Sequence, residues 1–305
     1  MNKYLTIVKQ VKYENIYILK TLYYIKVIKY NRGTKYKLGD KIMKKLLVFM
    51  MLLLSVFMFA CKKDDKIGLE YVKDKGELVV GFTDFPPFGY MENGEYLGFD
   101  LEVAKLVCEK LGVKFKAQYI DWDAQVMEIN SKKVDCIWNA MTITEARKEN
   151  MIFSKPYFET ELVVLTVKGS TKVTSVDDLT KDGVKIGVES NGTADINLSE
   201  DDKYTIEKYL TVSNALFALE AGNIDAIVVD KTYANDYVMK QSAAQEKYQI
   251  IDGTVGEKEE YGIAFRKADV DLKDAVDKAF DELVSEGKIA PIVAKYFGES
   301  NGFKR

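Results

Sequence analysis

Apolar and polar positions follow two different rhythms from Gly68 onward. Short apolar runs over residues 78–82, 113–119 and 134–138 are typical of buried strands. Between them, residues 98–112 and 124–130 place apolar side chains at the spacing of one helix face. Strands and helices that alternate in this order predict an α/β protein. Because helices connect consecutive strands, we expect those strands to be parallel.

The same rhythm starts again further along the chain, with short helices expected in VDDLT and after NGT. Strands are predicted for three apolar runs, 162–167, 184–188 and 224–229. The chain then returns with a strand over 261–265 and helices over 272–285 and 291–297, which need a core to pack against. Two lobes fit this order: lobe 1 is predicted to comprise 77–165 and 256–298, and lobe 2 to comprise 166–255.

Turn and cap residues indicate several boundaries. Asn93-Gly94 predicts a tight turn between two extended pieces, because both residues adopt positive φ easily. Asp100 is expected to cap the start of the helix in 98–112, and Gly112 to end it. Thr144 is expected to cap a second helix, which begins at EAR.

The first sixty residues do not fit this pattern. In 44–60, two lysines precede fourteen uncharged and mostly apolar residues, which is typical of a signal peptide. Fourteen helical residues reach only about 21 Å, short of the ~30 Å hydrocarbon layer. We therefore assign 43–60 to a signal peptide that starts at Met43. Residues 1–42 are interpreted as an extension upstream of the true start, and a genuine basic leader is the alternative.

Cys61 follows Ala60 directly, and the polar KKDDK comes next. This junction resembles that of a bacterial lipoprotein, in which the cysteine becomes the acylated first residue, although Met58 is unusual three positions before it. Acyl chains contribute about 0.8 kcal/mol per buried methylene and hold a soluble domain at a membrane surface. We expect lipidation at Cys61, a linker over 61–76, and contact with the membrane through the lipid alone.

Composition excludes several classes of function. The net charge is −3, but residues 1–60 carry 12 Lys and Arg against 2 Asp and Glu, which leaves about −13 for the remainder. Clustered positive charge is needed to displace phosphate counterions, so no nucleic-acid partner is expected. The chain has no histidine and no GxxxxGK[ST] nucleotide motif, and Cys108 and Cys136 lie among apolar residues without metal-ligand spacing. We predict no metal and no cofactor.

Seven motifs occur in a specific order between residues 78 and 297. They are DFPPFGY at 84–90, GFDLEVAKLV at 98–107, DWD at 121–123, VDCIWNAMTITEAR at 134–147, FSKPY at 153–157, IDAIVVD at 224–230 and EYGIAF at 260–265. Together they resemble the polar amino-acid-binding proteins of ABC importers, the bacterial solute-binding proteins of family 3. The resemblance implies a two-lobed periplasmic-binding-protein fold of type II, each lobe a mainly parallel sheet flanked by helices, with a ligand cleft between them.

The implied function is capture of a free amino acid outside the cytoplasm and delivery to a membrane permease, which a partner ATPase powers. A monomer without catalytic residues is expected. Cyclohexadienyl or arogenate dehydratases resemble these proteins too, and Glu189 or Asp230 could serve as a general acid. A dehydratase is therefore the alternative.

The resemblance assigns roles to the two ends of the ligand. Arg147 and Thr142 match the residues that bind the α-carboxylate, and a planar guanidinium can give two parallel hydrogen bonds to a carboxylate. Asp230 matches the residue that binds the ammonium. A solvated helix residue is the alternative for Arg147, and a helix N-cap is the alternative for Asp230.

Other positions are matched to the walls of the cleft. Phe85 and Trp122 would sandwich the side chain of the ligand, whereas Phe88 is expected in the core. Gly192 and Thr193 would offer backbone N–H groups in lobe 2, and Ala140 stands where the family carries glycine. Tyr261 is taken as a contact between the lobes.

The ligand itself is less clearly indicated. Phe82 stands where relatives that select cationic side chains carry aspartate, so a polar uncharged or cystine-like amino acid is favoured. Glu189 points the other way, because a carboxylate that faces the cleft would attract a cation.

Overall fold

The computed structural model describes residues 66–298 and 302–305. The predictions for residues 1–60 and for lipidation at Cys61 lie outside this range. Among the described residues, no helix combines the length and the apolar character that crossing a membrane requires.

Strands and helices alternate as the pattern predicts. The strands are β1 Glu77–Phe82, β2 Tyr90–Glu92, β3 Glu95–Leu97, β4 Lys114–Tyr119, β5 Cys136–Ile137, β6 Met151–Phe153, β7 Phe158–Val167, β8 Lys185–Glu189, β9 Thr205–Tyr209, β10 Ala226–Asp230, β11 Tyr248–Tyr261 and β12 Ala264–Arg266. The α-helices are α1 Gly68–Lys75, α2 Phe99–Leu111, α3 Gln125–Asn130, α4 Glu145–Lys148, α5 Thr193–Leu198, α6 Val212–Glu220, α7 Ser242–Lys247, α8 Val270–Ser285 and α9 Ala290–Phe297. A 3₁₀ turn at Trp122–Ala124 precedes α3, and a π-helical turn follows β10.

Two five-stranded sheets form the two lobes. The first has the order β4-β1-β5-β12-β6, and the second has the order β11-β7-β10-β8-β9. In each sheet two neighbouring pairings are parallel and two are antiparallel. The sheets are therefore mixed rather than mainly parallel. Strand β7 follows β6, and β12 follows β11, through short extended segments and not through a helix.

Strands β7 and β11 connect the lobes. They pair from Tyr248 with Val167 to Tyr261 with Phe158, with register shifts between Ile251 and Val255 and between Val255 and Glu259. The predicted lobe boundaries, 165/166 and 255/256, fall inside these continuous strands. A pair of long strands interrupted by bulges is a suitable hinge, since bulges bend and twist a ladder locally.

The start of α2 shows how the sequence determines a local structure. Gly98 has a φ of 128° and is the N-cap residue, and a Cβ there would lie 2.2 Å from the carbonyl oxygen of Phe88. Phe99 and Asp100 donate their backbone N–H groups to the carbonyls of Pro87 and Phe88. The prediction that Asp100 is the cap is wrong: its side chain is buried inside lobe 1, as described below. Gly112 ends the helix in the left-handed conformation, as predicted.

Other differences come from segments with weak patterns. The predicted linker over 61–76 contains α1, whose Val72 is buried in the core of lobe 1. The predicted strand over 261–265 is divided between the end of β11 and β12. The sequence does not predict strand β9 or most of β11. Apolar and polar residues do not alternate regularly along these two strands, and the burial of their side chains is correspondingly irregular.

Candidate functional site

One cavity between the lobes brings together all eight residues that the sequence suggested. The strands β1, β5, β8 and β10 end at this cavity, where open α/β sheets bind ligands. It is lined by Thr83, Phe85, Trp122, Asn139, Ala140, Thr142, Arg147, Glu189, Gly192, Thr193 and Asp230. Thr83 and Asn139 were not suggested, because a small polar residue at a strand end carries no signal of its own.

Arg147 lies at the centre of the lobe 1 side. Thr144 caps α4 and accepts the backbone N–H of Arg147, which turns the guanidinium toward the cavity rather than to solvent. One guanidinium nitrogen donates to the carbonyl of Thr142 at 2.8 Å, and Nε has no partner among the described residues. Burial lowers the pKa of Arg147 to about 10, while nearby carboxylates act against that shift. The residue is 7% exposed, so it is not a solvated helix residue.

Asn191 of lobe 2 connects the two lobes. Its carbonyl oxygen accepts hydrogen bonds from the Arg147 guanidinium at 2.9 Å and from the indole N–H of Trp122 at 3.3 Å. Its side-chain amide donates to Asp123 at 2.6 Å. The backbone φ of Asn191 is 55°, a conformation that asparagine tolerates better than most residues. The lobes are thus closed on each other in this structure.

Thr142 takes part in a chain of hydrogen bonds between the lobes. Its hydroxyl accepts from the hydroxyl of Thr193 and donates to Oε2 of Glu259, both at 2.9 Å. Glu259 belongs to β11, so this chain joins lobe 1, lobe 2 and the hinge. The sequence reading missed Glu259, since it stands in the charged run EKEE.

Asp230 stands at the end of β10, on the lobe 2 side of the cavity. Its carboxylate accepts a hydrogen bond from the hydroxyl of Tyr261, which the sequence suggested only as a contact between lobes. Burial raises the pKa of Asp230 to about 6, although the Tyr261 hydrogen bond and Arg147 favour the ionised form. Arg147 and Asp230 therefore face one cavity from opposite lobes.

Glu189 is the last residue of β8 and also lines the cavity. Burial, with a smaller contribution from Asp230, raises the pKa of Glu189 to about 8. The cavity thus holds one guanidinium and at least two acidic side chains. A ligand with positive charge at more than one place would be favoured by this arrangement.

Phe85 and Trp122 form the aromatic walls. The ring of Phe85 lies 5.1 Å from that of Tyr233, and the guanidinium of Arg147 lies 5.7 Å from the centre of the Trp122 ring. Such a cation–π contact fixes both side chains. Phe88 is fully buried among aromatic rings of lobe 1, as predicted for a core residue.

Ala140 is one of the few residues other than glycine with positive φ, at 50°. Its N–H donates to the buried carboxylate of Asp100 at 2.7 Å, and the hydroxyl of Tyr157 donates to the same oxygen at 2.8 Å. The preceding Asn139 accepts the backbone N–H of Thr83 at 2.6 Å. These contacts hold the loop after β5 against β1, which gives the lobe 1 side of the cavity a fixed shape.

Neither metal nor thiol chemistry has support in the described residues. They contain no group of three or more Cys, Asp or Glu side chains arranged to hold a metal ion. Cys108 and Cys136 are buried free thiols, and burial raises the pKa of both, to about 12 for Cys108.

The comparisons with known proteins agree with this geometry. The sequence model of the bacterial extracellular solute-binding proteins, family 3, matches residues 78–299. The L-cystine-binding protein TcyJ of Escherichia coli (strain K12) is 31% identical over 242 residues, which cover 75% of this chain and 86% of that protein.

Two solved structures are similar over the same region. A substrate binding protein of an ABC uptake transporter from Streptococcus pneumoniae, with bound histidine, gives a TM-score of 0.70 at 30% identity and covers 77% of this chain and 98% of that one. Holo ArgBP from T. maritima gives 0.66 at 34% identity and covers 75% and 99%. These relatives are binding proteins and not enzymes. For the dehydratase alternative there is only a distant ancestral link, through a similar ancestral amino acid-binding protein that is a precursor of cyclohexadienyl dehydratase. Sequence, fold and relatives together show that the chain belongs to the bacterial extracellular solute-binding proteins of family 3.

Proposed function

We propose that the cavity binds one free amino acid, with its α-carboxylate at Arg147 and its ammonium at Asp230. The observation that carries the proposal is the placement of a buried guanidinium and a buried carboxylate on opposite lobes of a single cavity. Thr142 and the backbone N–H of Thr193 would complete the carboxylate site, whereas the N–H of Gly192 already donates to the carbonyl of Glu189. Phe85 and Trp122 would enclose the side chain of the ligand.

Ligand binding would drive closure of the two lobes. A molecule that contacts both half-sites stabilises the closed form more than the open one, and hinge motion in β7 and β11 allows the change. Arg147 and Trp122 already contact the carbonyl of Asn191 across the cleft in the closed form. The closed, loaded protein would then dock on a permease, whose ATPase powers uptake.

The ligand is proposed to be polar, and cystine fits the acidic cavity well. Cystine has no net charge, but it carries a second ammonium group that could pair with Glu189. The similarity to TcyJ supports this choice. Arginine and lysine also carry a positive charge at the end of the side chain, whereas glutamine does not. Comparing their binding would therefore show whether the cavity selects a second positive charge or an uncharged polar side chain.

A thermal-shift screen against the twenty amino acids and cystine tests the proposal. Ligand at a hundredfold excess over Kd stabilises the fold by about 2.7 kcal/mol, or roughly 5–10 °C for a domain of this size. At least one amino acid is expected to give such a shift, and Arg147→Ala is expected to abolish it. Failure of every amino acid to shift the wild-type protein would contradict the proposal.

Lipidation at Cys61 is the proposed mode of attachment to the membrane. The motif Ala60-Cys61 after an apolar segment supports it. Expression in a bacterial host with labelled palmitate should give a labelled protein that partitions into detergent, whereas Cys61→Ser should give neither. Cys108→Ser is the matched control, because that thiol is buried in lobe 1.

A further inference from the structure

Glu259 is a buried acid next to the proposed carboxylate site, and none of the cavity assignments uses it. It is 6% exposed, and it has no ion pair among the described residues. Oε2 accepts from the hydroxyl of Thr142, while Oε1 is buried without a hydrogen-bond partner within the described part of the chain. A buried carboxylate in this situation is costly unless it carries a proton or gains a donor.

Its burial follows from the shape of β11. Glu259 pairs with Thr160 and lies on the same strand face as the buried Tyr261, two residues further on, while the intervening Glu260 faces solvent. Glu260 contacts Lys304 at the surface. The chain therefore offers two adjacent glutamates with opposite environments.

The number of hydrogen bonds that the Thr142 hydroxyl can form limits which protonation state of Glu259 is compatible with ligand binding. A hydroxyl has one proton to donate and two lone pairs that accept. One lone pair already accepts from Thr193. As long as Thr193 donates to Thr142, an ionised Glu259 takes the single proton of Thr142, and no proton is left for the carboxylate of a ligand. If Glu259 is protonated, it can donate to the second lone pair, and the Thr142 proton is free to turn toward the ligand.

We propose that Glu259 is a positioning residue that must be protonated for Thr142 to donate to the α-carboxylate of the bound amino acid. The inference rests on the proposed function, because it concerns the same carboxylate site. Because Glu259 belongs to β11, this hinge strand would influence the affinity for the amino acid directly. One consequence is that binding takes up a proton and weakens at alkaline pH.

The electrostatic surroundings agree with this role. The charged and titratable groups that face Glu259 are Asp230 of β10, Arg147 of α4 and Tyr261 of β11. Burial, followed by repulsion from Asp230, raises the pKa of Glu259 to about 8, while Thr142, Thr193 and Arg147 act in the opposite direction. The carboxylate of a ligand would add a further negative charge beside it and would favour the protonated form more strongly.

The test compares wild type with Glu259→Gln and with the control Glu260→Gln. The amide of glutamine can donate to Thr142 as the protonated acid does, but it does not titrate. The probe is the amino acid with the largest shift in the screen of the twenty amino acids and cystine, and Kd is measured by calorimetry from pH 6.5 to 9. Wild type and Glu260→Gln are expected to lose affinity roughly tenfold more than Glu259→Gln between pH 7 and pH 9. Deprotonation of the ligand's own ammonium weakens binding equally in all three proteins, so the ratio of Kd values isolates Glu259.

A second measurement on the wild type alone keeps the proposal testable if Glu259→Gln does not fold. Binding at pH 8 in two buffers of different ionisation enthalpy should show uptake of about half a proton per ligand beyond the fraction that the free ligand's own amino group takes up at that pH. No uptake beyond that fraction, or the same pH profile in Glu259→Gln and wild type, would overturn the inference while amino-acid binding itself remains. Loss of binding in a folded Glu259→Gln would overturn it too. A wild-type protein that binds no amino acid at any pH would overturn both this inference and the proposed function.

Discussion

At the scale of single residues, the site depends on a guanidinium that lobe 1 holds in place before any ligand arrives. Arg147 is oriented by the cap of α4, by the carbonyl of Thr142 and by the ring of Trp122. Such pre-organisation reduces the entropy lost on binding. The guanidinium keeps its positive charge at neutral pH despite burial, because its pKa falls only to about 10. Three nearby acidic residues act against the lowering of this pKa.

Arg147→Ala is expected to weaken amino-acid binding severely. Truncating one partner of a buried, hydrogen-bonded charge pair costs about 2–5 kcal/mol, or roughly 30-fold to several-thousand-fold in Kd. Lys148→Ala is the matched control, because Lys148 lies on the exposed side of the same short helix and pairs with Glu145 there. Calorimetry measures Kd, and circular dichroism checks that both variants are folded. Equal affinity in the two variants would remove the carboxylate assignment.

Protonation of Asp230 should weaken amino-acid binding at acidic pH. An ionised carboxylate is needed to pair with the ammonium of the ligand, and the pKa of Asp230 in the free protein is raised to about 6. Affinity should therefore fall as the pH drops below 6, by about tenfold per unit, and should level off toward pH 7, below the range in which Glu259 titrates. The carboxylate and ammonium of the ligand stay charged between pH 4.5 and 7, so the change reports on the protein.

The control for this loss of affinity at acidic pH is Glu189→Gln. The pKa of Glu189 is raised to about 8, so this acid is already protonated below pH 6, and its replacement should leave the fall in affinity in place. Calorimetric Kd values at half-unit steps of pH give the comparison. A constant Kd from pH 5 to 7 would speak against Asp230 as the ammonium partner.

At the scale of elements, the sequence predicted those whose pattern is local. Helix α2 could be predicted because its apolar face and Gly112 are local signals, and β1, β8 and β10 because they are continuous apolar runs. The start of α2 was misassigned because the reason for Gly98 is a carbonyl of Phe88, ten residues away. The polarity of Asp100 is equally compatible with a cap and with a buried contact to Ala140.

The long strand β11 could not be predicted for a related reason. Its residues are mostly exposed and charged, and it is held by pairing with β7 rather than by burial. The sequence does not single out Glu259 either, since it stands in the charged run EKEE and its burial follows from the pairing of β11 with β7. In contrast, the motifs contain six of the eight suggested residues that line the cavity, because the order of the motifs carries information that no single position has. These are Phe85, Trp122, Ala140, Thr142, Arg147 and Asp230.

The last four residues add to the hinge region. The carbonyl of Gly302 accepts the N–H of Glu159 at 2.7 Å, and Lys304 donates its N–H to the carbonyl of Tyr157 at 3.0 Å. Phe303 lies beside the rings of Phe99 and Phe280. This C-terminal segment therefore fastens the start of β7 to lobe 1.

Deletion of residues 302–305 should lower the free energy of unfolding by at least about 2 kcal/mol. The loss combines two backbone hydrogen bonds, at about 1 kcal/mol each, with part of the burial of one phenylalanine and with the buried ion pair between Arg305 and Asp277. Lys304→Ala is the control and should cost less than about 1 kcal/mol, because its side chain pairs with Glu159 and Glu260 at the surface. Urea titration followed by circular dichroism measures both. Similar midpoints for the deletion and wild type would show that the segment does not contribute.

At the scale of the whole molecule, the closed form is maintained by few direct contacts between the lobes. The carbonyl of Asn191 accepts from Arg147 and Trp122, and two threonine hydroxyls meet across the cleft. Each such bond contributes only about 0.5–1.5 kcal/mol net. These hydrogen bonds give only a small free-energy difference in favour of the closed form. A ligand that contacts both lobes can therefore shift the equilibrium between the open and the closed form.

Small-angle scattering should detect this shift. Without ligand, the curve of the wild-type protein is expected to include open forms and to give a larger radius of gyration than the closed structure. Saturating amino acid should reduce the radius of gyration and bring the curve into agreement with the closed structure, because only closure lets Arg147 and Asp230 bind the same molecule. Arg147→Ala should not respond to the same concentration. Scattering curves of the wild type that are identical with and without saturating ligand would contradict closure as the consequence of binding, even if calorimetry still showed that the amino acid binds.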